Sequence, residues 1–511
     1  MCFYGYYDKI ITKVITVFYY SKSKYVLFNN CNRRLWLEKY KKEEMKEQGN
    51  QARLIEGNKV GDLAMNLFGD YYLAETDPID IPKMCERTIN AIKNGYKVIC
   101  EAAFVYKNNY CAVDILKVID DKTVEIYEVK SVTEVKKYHI IDTSYQYYVL
   151  TGLGYNVKSV NVVIINKEYV SKEELDLNEY FKIVDITDDV IKESKNVKVN
   201  LDKSDSILND SELPDVKLSK SCTEYDGCPF QDYCYKLKNI PESGSVLNLY
   251  SNRSKWKQIE SGIITFNDLL NSNCKLTDVQ KRQIDYYLNE KEEYVDKEKI
   301  KEFLNEIKYP IYFFDFETYQ AVIPDLVGIH PNQQIPFQYS LHILNEDGSL
   351  IHKEYLGDGF SDPRPDLIRS MLIDLGKSGS IIAYNMSFEI GRIKELAYNF
   401  KEYNKELYDL IPRFIDLLIP FQNGYYYNKA IGGSFSIKSV LPALFPNDPS
   451  LDYHNLEDVH KGDEAAETYI CFKNMERSEY KRKRENLLKY CCLDTYAMVK
   501  IYNKLIELVK E

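Results

Sequence analysis

The stretch IYFFDFETYQ, residues 311–320, decides how this chain reads. Tyr312, Phe313, Phe314 and Phe316 favour a buried, pleated strand. Asp315 and Glu317 interrupt it two residues apart, and alternate side chains of a strand share a face. Two carboxylates side by side on an apolar strand repel each other and resist dehydration. Such a strand needs partners elsewhere in the chain that offset this cost.

At 511 residues the chain is too long for one ordinary core, and roughly two to four domains are expected. A composition of 45% hydrophobic and 28% charged residues is that of a globular protein, not a disordered one. The net charge of −11 argues against a uniformly basic nucleic-acid coat but leaves room for a local basic channel around acidic metal sites. Twelve cysteines in a Lys-rich chain without a clear signal peptide point to a reduced, cytoplasmic setting. There, spaced cysteines serve metals or clusters more often than disulfides. The opening segment MCFYGYYDKIITKVITVFYY is apolar but broken by Asp8, Lys9 and Lys13. It reads as neither signal peptide nor membrane span, and is either a strand with a leader or an upstream extension.

Residues 32–68 carry apolar positions at helical spacing. VICEAAFVY, YCAVDILKVI and TVEIYEVKS, within 98–130, are β-rich runs separated by KNN and DDK, which predicts an antiparallel meander. A helix over 138–153 and a strand at SVNVVIIN follow. Residues 200–220 are polar and predict a loop, a Cys-rich segment occupies 222–234, and 241–304 predict a charged helical linker. From 309 a second α/β pattern begins. It has strands at 311–317, 337–344, 350–356 and 380–384, a helix at 364–376, and then helices to the end. The expected fold class is α/β and multidomain: an extension over 1–20, an α/β/α domain over 21–240, the linker, and a second α/β domain over 305–511.

Three constellations carry chemistry. In the first, Asp114 breaks one apolar strand, Glu128 and Lys130 share a face of its neighbour, and Gln146 lies on the following helix. Two carboxylates can hold Mg²⁺ with its waters retained, and a lysine beside it can orient an attacking water. A half-exposed hairpin with charges on its wet face has the same pattern. The order Asp, then Glu-x-Lys, then a helix with YQYY resembles the RecB-like branch of the PD-(D/E)XK nucleases. That resemblance implies a restriction-endonuclease-like fold, with Asp114, Glu128, Lys130 and Gln146 in a metal-dependent phosphodiester-cleaving site. Where that branch often carries a metal-binding His, EGNKVGDLAMNLF offers Gly61, leaving Glu56 or Glu101 as substitutes.

In the second constellation, CTEYDGCPFQDYC places Cys222, Cys228 and Cys234 at five-residue intervals, and Cys31 stands among basic and aromatic residues in NNCNRRLWLEKY. Zinc sites usually pair cysteines more closely. Four thiolates suit an iron–sulfur cluster, and a loop zinc is the alternative. One Cys before the nuclease core and three after it resemble the iron–sulfur RecB-like nucleases, including CRISPR-associated ones. This implies a structural [4Fe–4S] cluster. The remaining cysteines (2, 85, 100, 111, 274, 471, 491 and 492) read as packing residues.

The third constellation gives Asp315 and Glu317 their partners. IIAYNMSFEIGRIKEL is a strand, a turn at Asn385 and a helix bearing Glu389; LLKYCCLDTYAMVKIY is a late helix with Tyr490 and Asp494 one turn apart. Four converging carboxylates call for cations, and two divalent ions about 4 Å apart serve both oxygens of a phosphoryl transfer. The set resembles the DEDD exonucleases of the RNase H-like fold, in the subclass with Tyr in the last motif. That implies a 3′–5′ exonuclease using Mg²⁺ or Mn²⁺, with Asp315, Glu317, Glu389 and Asp494 as metal ligands and Tyr490 at the water. The family has Asp where this chain has Glu389. Asp416 is a second-tier acid, and Lys438 and Ser439 in GGSFSIKSVLPAL are candidate phosphate contacts. YSNRSKWKQIESGIITFNDLL, with Gly262 at its turn, resembles a helix-hairpin-helix backbone binder, with Arg253, Lys255 and Lys257 as its basic residues; a plain helical spacer fits as well.

Together the resemblances imply a two-site, metal-dependent nuclease acting on nucleic acid, DNA ahead of RNA, with no membrane partner, in repair, recombination or defence. The alternatives are a nucleic-acid-binding scaffold with one site inactive, and an RNA-processing exonuclease.

Overall fold

A computed structural model describes residues 19–46, 51–223 and 227–510. The strand or leader expected within residues 1–18, and Cys2 with it, lie outside the described residues. The chain is α/β and divides into two compact units: 1–217 with 221–231, and 218–220 with 232–511. The segment 241–304, expected as a separate linker, belongs to the second unit.

In the first unit, β1 (Tyr20–Ser21) leads into α1 (Lys22–Asn30), whose first turn is capped by the Ser21 hydroxyl accepting the Lys24 N–H. Then come α2 (Asn32–Tyr40), α3 (Gln51–Ala64), β2 (Tyr72–Leu73) and α4 (Ile81–Lys93). Helix thus begins ten residues ahead of the expected stretch and breaks within it. The meander is β3 (Val98–Tyr106), β4 (Asn109–Val118) and β5 (Thr123–Val129), antiparallel throughout. It is followed by α5 (Lys137–Gly152), β6 (Asn156–Ile165), α6 (Leu177–Tyr180), β7 (Phe181–Asp185) and α7 (Thr187–Asn209). The sheet order is β2-β3-β4-β5-β6-β7, and β1 runs parallel to the start of β4. The loop expected over 200–220 is helical to Asn209. Val190, Val197, Leu201 and Ser204 form a buried stripe at helical spacing, which the polar residues of the outer face obscure.

The second unit opens with α8 (Gln231–Leu237), whose first residue groups with the other unit, then α9 (Lys255–Glu260), α10 (Phe266–Leu270), α11 (Asp278–Leu288), β8 (Glu293–Val295) and α12 (Lys297–Asn305). Its sheet comprises β9 (Ile311–Tyr319), β10 (Ile335–Leu344) and β11 (Leu350–Leu356), joined through α13 (Arg364–Leu375) to β12 (Ser380–Ala383). Next come α14 (Ser387–Asn399), α15 (Asn404–Leu410), β13 (Phe414–Asp416), α16 (Ile419–Gln422), β14 (Tyr426–Asn428), α17 (Ile437–Leu444), α18 (Gly462–Cys471) and the long α19 (Arg477–Lys510). The order is β11-β10-β9-β12-β13, antiparallel from β11 to β9 and parallel from β9 to β13. The three-residue strands β13 and β14 fall where only helices were expected, since so short a run shows no periodicity. Strand β14 pairs with β8 and so ties the 241–304 segment to its own unit.

Strand β9 is buried on both faces. Tyr312, Phe314 and Phe316 pack with Leu367, Met371 and Ile393 on one side. Ile311, Phe313 and Tyr319 pack with Leu441, Leu487 and Ile501 on the other. By alternation Asp315 and Glu317 lie on this second face, opposite Ser340 and Gln338 of β10.

Candidate active sites

The first acidic group lies in the second unit. Strand β9 supplies Asp315 and the buried Glu317, the first turn of α14 the buried Glu389, and α19 the buried Tyr490 and Asp494 one turn apart. Asn385, at the bend between β12 and α14, has φ +68°. That left-handed conformation suits Asn and turns the chain so that the helix begins beside the sheet.

Burial raises every one of these acids. Asp315 is pushed well above the usual carboxylate range by burial, then by Asp494, Glu317 and Glu389. Glu317 is pushed well up by burial and Asp494, against the pull of Lys438. Burial lifts Glu389 to about 8 and Asp494 to about 6. Glu389 Oε2 is buried without a hydrogen-bond partner, a costly state for a carboxylate and one that a cation would relieve. Burial, followed by Asp494, Glu317 and Asp315, also holds the Tyr490 phenol well above its ordinary value, so it stays protonated.

Two neighbours, Tyr453 and Gly462, were not singled out by sequence. Tyr453, which opens a single 3₁₀ turn (Tyr453–Asn455), donates its hydroxyl to Asp494 Oδ1 at 2.6 Å. Glu317 Oε2 is so near Gly462, at the start of α18, that a Cβ there would lie 3.5 Å from it, and that helix N-terminus favours negative charge. Cys491, expected as packing, is buried with its thiol within 4.8 Å of carboxylate oxygens of Asp315 and Glu317. Lys438 lies over the rings of Tyr453 and Tyr490 and donates to the His460 carbonyl, whereas Ser439 bonds to Ser436 at the start of α17. Asp416 is already engaged: its oxygens accept the backbone N–H groups of Asn385, Met386 and Leu418. It shapes the turn before α14.

The second acidic group lies in the first unit and is built differently. Asp114 Oδ2 accepts the Val129 N–H at 2.8 Å, so the side chain takes a ladder donor where β4 and β5 part. Lys130, just beyond β5, donates to Glu128 at 2.6 Å and to Asp142 at 2.9 Å. Gln146 donates to Glu128 Oε2 at 2.7 Å, while its own Oε1 is buried without a partner. Lys22 donates to Asp114 at 3.3 Å and to Glu128 at 2.9 Å, bridging the two acids. Burial pushes Glu128 up, but Lys130 and Lys22 outweigh it and hold the carboxyl far below its ordinary value. Asp114 is raised, by burial and then by Glu128.

Glu101 lies between the β3/β4 pairs Cys100–Ile115 and Ala102–Val113, adopts φ +52°, and is lifted to about 8 by burial and Asp114. It is the substitute acid that stands at this group. Glu56 instead lies near Tyr180, and Gly61 of α3 has open space around it. Lys22 was not legible because it arrives 106 residues before Glu128 through a two-residue strand. Asp142 had a signal, an acid inside an apolar helix one turn before Gln146.

Of the four expected cluster ligands, Cys31, Cys222 and Cys228 belong to the first unit and Cys234 to the second. The Cys228 N–H donates to the Cys222 carbonyl at 2.9 Å, and Cys31 separates α1 from α2. Among the other cysteines, Cys471 is exposed rather than packed inside. In the segment resembling helix-hairpin-helix, α9 and α10 flank Gly262 at φ +79°; Arg253 and Lys257 are exposed, and Lys255 lies over the Trp256 ring.

Residues 312–436 match the profile of a domain of unknown function, DUF2779. The match takes in Asp315, Glu317 and Glu389 and ends before Lys438, Tyr490 and Asp494. The chain is 25% identical over 404 residues to the "Uncharacterized protein MG366" of Mycoplasma genitalium, covering 71% of this chain and 59% of that protein. It is 28% identical over 229 residues to the "Uncharacterized protein UU173" of Ureaplasma parvum, covering 39% of this chain and 31% of that protein. It therefore spans less than two thirds of either relative's length. No helix among the described residues is long and apolar enough to cross a membrane.

Proposed function

We propose that this chain is a divalent-metal-dependent nuclease whose main active site is the group Asp315, Glu317, Glu389, Asp494 and Tyr490. The observation that carries the reading is the buried, unpartnered Glu389 Oε2 within a group of four acids that burial pushes upward, with repulsion from the other acids adding to the rise of Asp315 and Glu317. Asp315, Glu317, Glu389 and Asp494 would hold Mg²⁺ or Mn²⁺. Such ions supply charge stabilisation for the attacking and leaving oxygens of a phosphodiester. Tyr490, kept protonated, orients the water by hydrogen bonding. Tyr453 fixes the Asp494 carboxylate, and Lys438 stands where a non-bridging phosphate oxygen would meet it. Water adds to phosphorus, the P–O3′ bond breaks, and the products are a 5′-phosphate and a 3′-hydroxyl, with a proton released to solvent. The resemblance to DEDD exonucleases supports 3′–5′ polarity, and the RecB-like resemblance supports DNA ahead of RNA.

We assign the group Asp114, Glu128, Lys130 and Gln146, with Glu101, as a second phosphodiester site. A second reading, that the first unit binds nucleic acid without cutting it, is favoured by Lys22, whose ammonium bridges Asp114 and Glu128. On cysteine order and resemblance, Cys31, Cys222, Cys228 and Cys234 are proposed as [4Fe–4S] ligands. Protein purified without oxygen should then be brown, and colourless zinc-loaded protein would refute the cluster. The activity test compares wild type, Lys130→Ala and Asp315→Ala on 5′- and 3′-labelled DNA and RNA strands with Mn²⁺. Loss of 3′-end degradation in Asp315→Ala alone supports the main site. No turnover with any divalent metal overturns the enzyme reading.

A further inference from the structure

One strand away from the main acidic group, His342 and His352 face each other across β10 and β11, with ring centroids 4.6 Å apart. Cys492 of α19 completes a trio whose ligand atoms all lie within 4.8 Å of one another. We propose that His342, His352 and Cys492 form a binding site for a thiophilic transition metal, Zn²⁺ first, distinct from the Mg²⁺/Mn²⁺ group and independent of the nuclease reading.

The hydrogen bonds around the two rings prepare them for this. The Cys492 carbonyl can only accept, and it takes the Thr495 hydroxyl proton at 3.2 Å. In the arrangement that satisfies every bond of this network, Thr495 Oγ1 accepts from His342 Nδ1 at 2.8 Å and from the Ser340 hydroxyl at 2.7 Å. Having given its proton to Thr495, Ser340 Oγ accepts from His352 Nε2 at 3.0 Å. Both neutral rings thus have one nitrogen committed as a donor, and the opposite nitrogens, His342 Nε2 and His352 Nδ1, carry the lone pairs. An outer hydrogen bond that selects the tautomer and orients the ring is the usual support of a metal-bound histidine. Two imidazoles and a thiolate suit Zn²⁺. Bonds of about 2.0–2.3 Å place tetrahedral ligands roughly 3.5 Å apart, so the trio would draw together around the ion. The ion would pin α19, which also carries Tyr490 and Asp494, to the outer strands of the sheet.

The test measures zinc per chain in the full-length protein for wild type, Cys492→Ser and His352→Asn after dialysis against Zn²⁺ and removal of loose metal. Any zinc on the other cysteines is common to all three, so each variant should hold one equivalent fewer than wild type. Cobalt-loaded wild type should also show a stronger near-ultraviolet thiolate-to-metal band than Cys492→Ser. Equal zinc content in all three overturns the site. Against misfolding of a variant, hydrogen exchange of wild type with and without Zn²⁺ should show slower exchange in peptides covering 340–356 and 490–498. Unchanged exchange in those peptides overturns the proposal as well.

Discussion

Each unit of this chain gathers buried acids, and the two groups balance their charge in opposite ways. In the first unit Asp114, Glu128 and Asp142 meet two ammonium groups at hydrogen-bond distance, so Glu128 stays ionised in spite of burial. In the second, Asp315, Glu317, Glu389 and Asp494 have a phenol on Asp494 and a lysine that bonds to a carbonyl. Their carboxyls are all raised. A buried charge must be paired, hydrogen-bonded or neutralised by a proton. The first group is paired within the protein. The second is left to bind protons or external cations, which is why we propose the main active site there.

The sharpest way to test that contrast is to remove one acid from the unpaired group. Asp315→Asn should lower Mn²⁺-dependent strand degradation by about 100-fold or more, as loss of a ligand shared by catalytic ions does. It should also raise the melting temperature of metal-free protein, because it relieves like-charge repulsion. Assays on labelled strands and thermal melts in chelator check the two halves.

Next in size is Lys22→Ala, which makes the first group resemble the second. Removing one partner of a largely buried ion pair should cost up to about 3 kcal/mol, read from denaturant unfolding. The same variant should bind Mn²⁺ more tightly at Asp114 and Glu128, read by calorimetry. Unchanged stability and affinity would mean that Lys22 does not neutralise the site.

Glu128 of the first group and the acids of the second should answer pH in opposite directions. Glu389 and Asp494 have folded values of about 8 and 6, above those of the unfolded chain, so the folded state binds more protons between roughly pH 4 and 8. In metal-free protein the stability of that region should fall as pH rises through this window, and Mn²⁺ should restore it. Glu128 is depressed, so its contribution is present above the unfolded value and is lost only as pH falls through the acid range. Hydrogen exchange of β9 and α19 peptides against β5 peptides, which carry Glu128, separates the two trends.

The smallest effect belongs to Tyr453→Phe, which removes one hydrogen bond to Asp494. A charge-assisted bond of this kind is worth about 1.5–3 kcal/mol, and the variant should shift the acid limb of the pH–rate profile upward. An unmoved limb would show that Tyr453 only packs.

What was legible in the sequence follows the same physics. Acids inside apolar runs stand out, so Asp114, Asp315 and Glu317 drew attention by themselves, whereas the Tyr490–Asp494 pair gained weight only from the order of the motifs and the resemblance they carry. Glu101 and Asp142 had the same kind of signal in VICEAAFVY and YHIIDTSYQYY. Lys22 had none, because a lysine near a chain's start looks like any solvated lysine until β1 pairs with β4. Tyr453 is placed by a single 3₁₀ turn without periodicity, and His342 meets His352 only through the β10/β11 register. Helix α7 was missed to Asn209 because its buried stripe is narrow and its outer face very polar.

The central claim, that the second unit's carboxylates hold a pair of divalent ions, is tested most directly by electron paramagnetic resonance of the Mn²⁺-loaded chain. Wild type should show the signature of two exchange-coupled Mn²⁺ ions, absent from Asp315→Asn and kept in Lys130→Ala. An isolated-ion spectrum in wild type, or a coupled pair that survives Asp315→Asn, would contradict it.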